Sequence, residues 1–450
     1  GWGNVVNVIL NHPTSNPNGL DRGVATPLEV IVGYEGKNLD LGLRKDFTFF
    51  LIRHPEFKID WKDGLLHFFL TEHRYKVAHG VIEELIRNPD IDVNRKTKLG
   101  TTPLMKLYYT RDEALIDSAL PLFLKRKEVD VNNFTKNRRS SVISAAIGYY
   151  LRRNKSADRS LRLKHFLMLA ERPELNFNLA NRDGDTPILL AQSPHKDRQE
   201  LFSYIYGRAD VDLTRANQLG TSLLHGFAKI GDLKIFKEVL ALKNWDLNRY
   251  HEKLGDAYNY KTLLIIACEA GHLPIVEELL QNDININYRP KLISIKPALH
   301  IAMNKDFAIA EKLLEDPRTN RSIRNAYRNT LGEGLSLSIE NFRKLLQYSD
   351  IVKGVNEGVL RGETTLIQAI NGKRIEHFDE LLQLPNIDVN AADKYIRHYS
   401  YNRGRTPLMH SVTSSTTYCV LEKTDIHFVK GLLIHPDIKI NIQNPDGYTA

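Results

Sequence analysis

Cysteine is scarce: Cys268 and Cys419 are the only two in 450 residues. Two thiols cannot staple a chain of this length, so nothing argues for an oxidising compartment, and a cytoplasmic setting is expected. No apolar run reaches ~18 residues, so no transmembrane segment is expected. The opening stretch from Gly1 to Leu10 has no basic n-region and is too short in apolar residues for a secretory signal. It also lacks an initiator Met, so the natural N-terminus is expected to lie elsewhere. His-Glu-x-x-His and paired Cys-x-x-Cys are both missing, which removes the stronger zinc signals, and there is no glycine-rich phosphate loop. Charge of one sign is not dominant either. The 62 Lys and Arg against 54 Asp and Glu leave a formal charge of +8. That excess permits acidic partners without by itself arguing for nucleic acid, which usually needs a concentrated basic face.

What is present is enough apolar material to fold: hydrophobic content is 42% and charged content 26%, near the soluble average. Single cores stop growing near ~250–300 residues, so the chain is either several domains or one repeat array. Self-similarity decides for the array. One phrase ends a helix and alternates β-branched or apolar residues with Asp or Asn. It reads His54-Pro55-Glu56-Phe57-Lys58-Ile59-Asp60, Asn88-Pro89-Asp90-Ile91-Asp92-Val93-Asn94 and Leu384-Pro385-Asn386-Ile387-Asp388-Val389-Asn390, among others. Further copies end at Asn132, Asn178, Thr214, Asn248, Asn287, Asn356 and Asn441. A second phrase follows most of them: Gly100-Thr101-Thr102-Pro103-Leu104, Gly184-Asp185-Thr186-Pro187-Ile188, Gly362-Glu363-Thr364-Thr365-Leu366 and Gly404-Arg405-Thr406-Pro407-Leu408.

Each phrase has a physical reading. Thr caps free backbone N–H groups at a helix start, and Pro at the first helical position has no N–H to lose. Ala270-Gly271-His272 and Ile230-Gly231-Asp232 end a first helix on a residue that tolerates positive φ. A second helix follows, as in Ile275-Val276-Glu277-Glu278-Leu279-Leu280, with apolar residues at helical spacing. The Pro or Asn phrase then breaks that helix and leads into an extended loop. Leu104, Leu189, Leu224, Leu264, Leu299, Leu366 and Leu408 are expected between helices.

Helix, turn, helix and extended loop at a period of ~33 residues, opened by Thr-Pro-Leu-His, resembles the ankyrin repeat. Two phrases recurring in phase make the match specific, and about eleven units cover residues 1–450. The expected fold class is therefore an all-α ankyrin-repeat solenoid of stacked helix-turn-helix units with hairpin-like finger loops. Residues 317–356 depart most, since Gly332 and Gly334 stand where a first helix should be. A partial repeat is expected at each end, because Val5 to Leu10 reads as a second helix alone and Gly447 to Ala450 as an opening phrase alone. Arrays end in polar caps, and neither end resembles one, so the chain is expected to be a fragment of a longer protein.

No catalytic constellation emerges. Cys268 precedes His272 by one turn, but it falls inside a first helix, where a buried thiol behaves as a small hydrophobe. Cys419 lies in a Ser-Thr insertion without a basic cluster to activate it. His67, His225, His300 and His410 fall at or near the repeat opening, where the resemblance assigns them a framework role. Residues 151–164 hold six basic residues and one acid, read as a solvated turn with a phosphate contact as the alternative.

The binding signal lies in the fingers. Between Asn390 and Pro407 one finger carries Tyr395, Arg397, Tyr399, Tyr401, Arg403 and Arg405. A smaller finger carries Tyr258 and Tyr260, and other tips offer Tyr288, Arg289, Arg138, Arg139 and Lys96. Tyr and Arg dominate interface hot spots. The resemblance implies a protein–protein interaction scaffold that uses a concave face of fingers and first helices, without cofactor or catalysis. The expected partner is a protein with an acidic surface, and the chain is expected to be monomeric. Two alternatives stay open. One is the targeting region of a larger enzyme or of a secreted bacterial effector acting in host cytoplasm. The other is a binder of phospholipid headgroups or nucleic acid, which strong salt dependence would favour.

Overall fold

The computed structural model describes residues 64–70, 75–110, 112–152, 159–192, 199–248, 261–289, 295–325, 328–358, 362–393, 404–413 and 423–450. The chain divides into two units, Gly1–Gln218 and Leu219–Ala450. The first holds four helix pairs among the described residues: α1 (Leu65–Phe69) with α2 (Tyr75–Arg87), α3 (Pro103–Tyr109) with α4 (Glu113–Lys125), α5 (Val142–Leu151) with α6 (Arg159–Ala170), and α7 (Pro187–Ala191) with α8 (Gln199–Tyr206). The second holds six: α9 (Leu223–Ile230) with α10 (Leu233–Leu240), α11 (Leu263–Ala270) with α12 (Leu273–Leu280), α13 (Ala298–Lys305) with α14 (Phe307–Glu315), α15 (Thr330–Gly334) with α16 (Ile339–Leu346) and the short α17 (Ser349–Val352), α18 (Thr365–Asn371) with α19 (Ile375–Leu382), and α20 (Pro407–Thr413) with α21 (Lys423–Ile434). The unit that opens at Thr26 lies outside the described residues. Among them the only β pairing is two isolated bridges, Phe134 with Ser141 and Arg324 with Asn329.

Within each unit, first helices pack on first helices and second on second: α3 on α5, α2 on α4, α9 on α11 and α10 on α12. That explains the two sequence patterns. A first helix has neighbours on several sides, so α11 buries Leu263, Leu264, Ile265, Ala267 and Cys268. A second helix is covered on one side, so α12 buries Ile275, Val276 and Leu279 and leaves Glu277 and Glu278 half-buried, Glu278 paired with Lys237 of α10. Six of the seven expected leucines are buried, Leu104, Leu224, Leu264, Leu299, Leu366 and Leu408. Leu189 is not: it is half-buried, and Ile188 at 1% exposure takes its place. The phrase Thr186-Pro187-Ile188 aligns Ile188 with Leu104, and one residue is about 100° around a helix, enough to leave the packed face.

The capping chemistry follows the opening phrase. The side chains of Thr102, Thr262, Thr364 and Thr406 accept from Met105, Ile265, Ile367 and Met409 N–H at 3.3–3.4 Å. Gly231 and Gly271 close their helices in the left-handed conformation. His272 does more than fill a turn, since its Nε2 bonds to Lys229 O of the preceding repeat at 3.1 Å.

The repeat-end Asn has a role that local turn chemistry does not suggest. Asn132 donates from Nδ2 to Glu174 O at 2.7 Å and accepts at Oδ1 from Asn176 N at 2.9 Å, spanning to the next repeat. Asn178 does the same with Asp210 O and Asp212 N, at 2.6 and 2.7 Å. Asn287, Asn356 and Asn390 repeat the pattern in the second unit. The Asp of the phrase holds its own turn, as Asp130 Oδ1 accepts from Asn132 N at 2.9 Å. Arginines add a second rung: Arg126 Nη1 reaches back to Ile86 O and Asn88 O at 3.0 and 2.9 Å, adding bonds to the carbonyls at and just beyond the end of α2.

The divergent unit keeps a first helix, shortened to the five residues of α15. Its Gly334 packs closely, since a Cβ there would stand 2.7 Å from Leu345 Cδ1 on α16 and force that side chain to shift. Glu333, 2% exposed, accepts from Lys296 Nζ at 2.8 Å and from Asn325 Nδ2 at 2.5 Å. Burial works to raise its pKa, and the bonds from Lys296 together with the nearby His300 and Asn325 outweigh that and hold it below the usual carboxylate range.

Candidate functional site

Finger loops connect each repeat-end phrase to the next opening phrase. In the first unit they are tied tip to tip through the backbone. Lys136 N donates to Leu99 O at 2.8 Å, Arg182 N to Arg138 O at 2.8 Å, and Gln218 N to Asp183 O at 2.9 Å. The glycine of each opening phrase makes this approach feasible. A Cβ on Gly100 would stand 2.5 Å from Lys136 N, and one on Gly184 2.6 Å from Gln218 N; both glycines have φ near +80°. The framework histidines anchor the bases of the loops. His67 Nε2 donates to Arg95 O at 2.7 Å, and His410 Nε2 meets Asp393 Oδ2 at 3.0 Å.

Basic residues gather on these tips. Lys96, Arg138, Arg139, Arg182 and Arg215 are all exposed. Among the described residues none of them forms an ion pair with a carboxylate. Arginines near the second-helix ends behave oppositely. Arg172 bonds Glu174, Arg208 bonds Asp210 and Arg318 bonds Asp316. Those arginines hold the Glu174, Asp210 and Asp316 carboxyls below their ordinary range. Among the described residues, Arg172, Arg208 and Arg318 at the outer turns are thus neutralised, whereas Lys96, Arg138, Arg139, Arg182 and Arg215 on the first unit's fingers are not.

Successive fingers enclose an open groove of about 550 Å³ in the first unit, lined by Arg138, Arg182 and Arg215 with Asn181, Asn217 and Gln218. Arg138 has φ of 53°, a conformation uncommon for a residue with a Cβ. Its guanidinium carbon lies 5.0 Å from the Phe134 ring centre. Arg215 Nη1 donates to Asn178 O at 3.2 Å. Asp185, the neighbouring acid, is occupied by Asn217 Nδ2 at 2.7 Å and Asn181 Nδ2 at 3.3 Å.

The expected contact residues divide three ways. Lys96, Arg138 and Arg139 are brought to neighbouring tips of the first unit. In the second unit Arg289 is exposed, while Tyr288 is half-buried with its hydroxyl oxygen buried. Arg405 is half-buried at the base of the long finger, its N–H donating to Asp393 Oδ1 at 3.0 Å. Tyr395, Arg397, Tyr399, Tyr401, Arg403, Tyr258 and Tyr260 lie outside the described residues. Sequence reasoning missed Arg182 and Arg215. Counting back from the loop glycine would have found them: Arg215 stands five places before Gly220 as Arg95 does before Gly100, and Arg182 two before Gly184 as Lys98 does before Gly100.

Part of the basic stretch 151–164 is used internally. Arg162, 3% exposed, bonds Glu113 Oε1 at 2.8 Å and Arg152 O at 3.0 Å, and Lys164 pairs with Asp117 at 2.9 Å. Arg152 reaches Thr110 O at 2.8 Å. Cys268 is fully buried, and burial pushes its thiol well above the ordinary range, which suits packing and not nucleophilic chemistry. Cys419 lies outside the described residues. Among the described residues no group of three His, Cys, Asp or Glu could hold a metal ion, and no helix is long and apolar enough to cross a membrane.

Stacked helix pairs with hydrogen-bonded fingers define a repeat protein whose units bury their apolar faces on one another. Comparison with known proteins names the repeat. The family model for ankyrin repeats (3 copies) matches residues 193–290 and 224–325. The human ankyrin repeat domain-containing protein 7 is 33% identical over 88 residues, 20% of this chain and 29% of that relative. The match thus spans less than a third of that relative's length. A solved chain from the predatory endopeptidase Bd0816 of Bdellovibrio bacteriovorus in complex with immunity protein Bd3460 aligns at 20% identity and a TM-score of 0.37, covering 48% of this chain and 99% of that one. The chain thus carries ankyrin repeats over residues 193–325. Ankyrin repeats are in general protein-interaction modules.

Proposed function

We propose that this chain recognises a protein partner through its finger loops, and that the partner surface is acidic. The observation that supports this most is the contrast in charge compensation. Arg172, Arg208 and Arg318 pair with carboxylates, whereas Lys96, Arg138, Arg139 and Arg182 meet none among the described residues. An uncompensated row of cations lowers stability through self-repulsion unless a partner neutralises it, and it speeds encounter with a surface of opposite charge. The long finger at 394–405 extends the reading to the second unit. Its composition of three tyrosines and four basic residues matches that of hot spots. The chain is taken as a binding module without catalysis of its own, monomeric and cytoplasmic.

Immobilising the 450-residue chain and identifying captured proteins by mass spectrometry tests the reading. A specific acidic partner that dissociates as salt shortens the screening length below ~8 Å is the expected result. Capture of nucleic acid or anionic lipid in place of protein would overturn it, as would a partner indifferent to substitutions on the fingers.

A further inference from the structure

The groove between the first unit's fingers has a composition that selects one kind of occupant. Three arginines, Arg138, Arg182 and Arg215, are among the residues lining about 550 Å³ of open space. Binding pockets generally run from ~300 to ~1,000 Å³, so the groove exceeds a single small anion and suits a few residues of extended chain. The nearby carboxylate, Asp185, bonds to Asn217 and Asn181 and forms no ion pair with any of the three arginines.

The arginines are also positioned before any ligand arrives. The turn at Arg138, with its φ of 53°, lets its carbonyl accept from Arg182 N at 2.8 Å, which fixes the two fingers against each other. Phe134 lies 5.0 Å from the Arg138 guanidinium carbon, a cation–π contact that holds the head group. Arg215 is tethered by one N–H to Asn178 O at 3.2 Å, and a guanidinium carries five N–H donors, so others stay available. Such forks match carboxylates in a bidentate manner, and holding them in place reduces the entropy lost on binding.

We propose that the groove lined by Arg138, Arg182 and Arg215 is a docking site for an extended segment of a partner protein carrying several Asp or Glu side chains. This rests on the recognition reading above and gives it an address. The segment lies across successive fingers, with its carboxylates on the three guanidiniums. Asn181, Asn217 and Gln218 also line the groove and offer hydrogen bonds to such a segment, while Ala180 and Ala216 give it small apolar contacts.

The test is fluorescence anisotropy of a dye-labelled peptide of alternating Glu and Gly, at low salt, with the full chain. A triple variant, Arg138→Ala, Arg182→Ala and Arg215→Ala, is compared with Lys125→Ala, Lys234→Ala and Lys353→Ala, which removes equal charge from exposed lysines elsewhere. The groove variant is expected to bind about tenfold or more weakly, and the control within about twofold of wild type. Arg182→Glu alone, at an exposed side chain, guards against misfolding of the triple variant and should also weaken binding. Equal loss in groove and control variants, no binding by wild type, or arginine-dependent binding of phosphatidylserine vesicles but not peptide each overturns the proposal. A captured partner that binds the groove variant as tightly as wild type also overturns it, and leaves finger-mediated recognition standing.

Discussion

Asn132→Ala tests the ladder that ties consecutive repeats. The substitution deletes the bond from Nδ2 to Glu174 O at 2.7 Å and the one from Asn176 N to Oδ1 at 2.9 Å. It spares the bond from Asn132 N to Asp130 Oδ1 and leaves the helices untouched. A net hydrogen bond is worth about 0.5–1.5 kcal/mol, so two give roughly 1–3 kcal/mol. Glu174 and Asn176 are exposed, so water replaces the lost partners and no buried group is orphaned. The lower part of that range, about 1–1.5 kcal/mol, is therefore expected. Repeat arrays need not unfold in one step, so a single melting temperature is a poor readout. Native-state hydrogen exchange at Asn176 N–H is direct, because that amide loses its acceptor. Its protection should fall by about tenfold, in line with ~1.4 kcal/mol per decade. Unchanged exchange at Asn176 together with an unchanged urea midpoint would refute the ladder. Asn132→Asp should fall between, since it keeps the acceptor and loses the donor.

Ile188→Ala should cost about 2–5 kcal/mol, and Leu189→Ala clearly less, because Ile188 is 1% exposed and Leu189 half-buried; equal costs in urea unfolding would return the register to the leucine. His300 is buried and its pKa is pushed down to about 4, chiefly by burial, with Glu333 opposing and Lys296 and Arg289 adding to the fall. Its ring is held neutral, accepting from Asn325 Nδ2 and donating to Thr330 Oγ1, both at 3.1 Å. The unfolded chain then binds the extra proton, so stability present above about pH 6.5 is lost as pH falls toward about 4. His300→Gln should flatten that part of the urea-midpoint profile, and an identical slope in the variant would contradict the assignment. Cys268 should resist iodoacetamide in the folded chain at neutral pH and react after unfolding, read by peptide mapping; rapid native labelling would count against a buried structural thiol.

How much of this was legible in the sequence depends on range. Thr102 and Thr262 were readable as caps because a cap involves a residue and its third neighbour. Gly271 was readable as a helix end for the same reason. Asn132 was not readable as a clamp, because its partners are 42 and 44 residues away and the insertions vary that spacing. Leu189 misled because residue type was followed in place of phase; the proline before Ile188 sets the register. Arg182 and Arg215 are isolated basic residues in the chain, and only the stacking of fingers turns them into one groove with Arg138. Arg138 and Arg139, adjacent in sequence, were visible as a basic tip without that help.

Recognition by the fingers is tested most directly by charge reversal on two faces of the first unit. One variant carries Lys96→Glu, Arg138→Glu and Arg139→Glu; the other carries Lys125→Glu, Lys127→Glu and Lys164→Glu, at exposed positions on or beside second helices. Affinity of a captured partner is measured for both by surface plasmon resonance at physiological salt. The finger variant should lose affinity by about a hundredfold or more, and the second-helix variant should stay within about threefold of wild type. Retention by the finger variant with loss by the other would place the interface on the second helices and contradict the account.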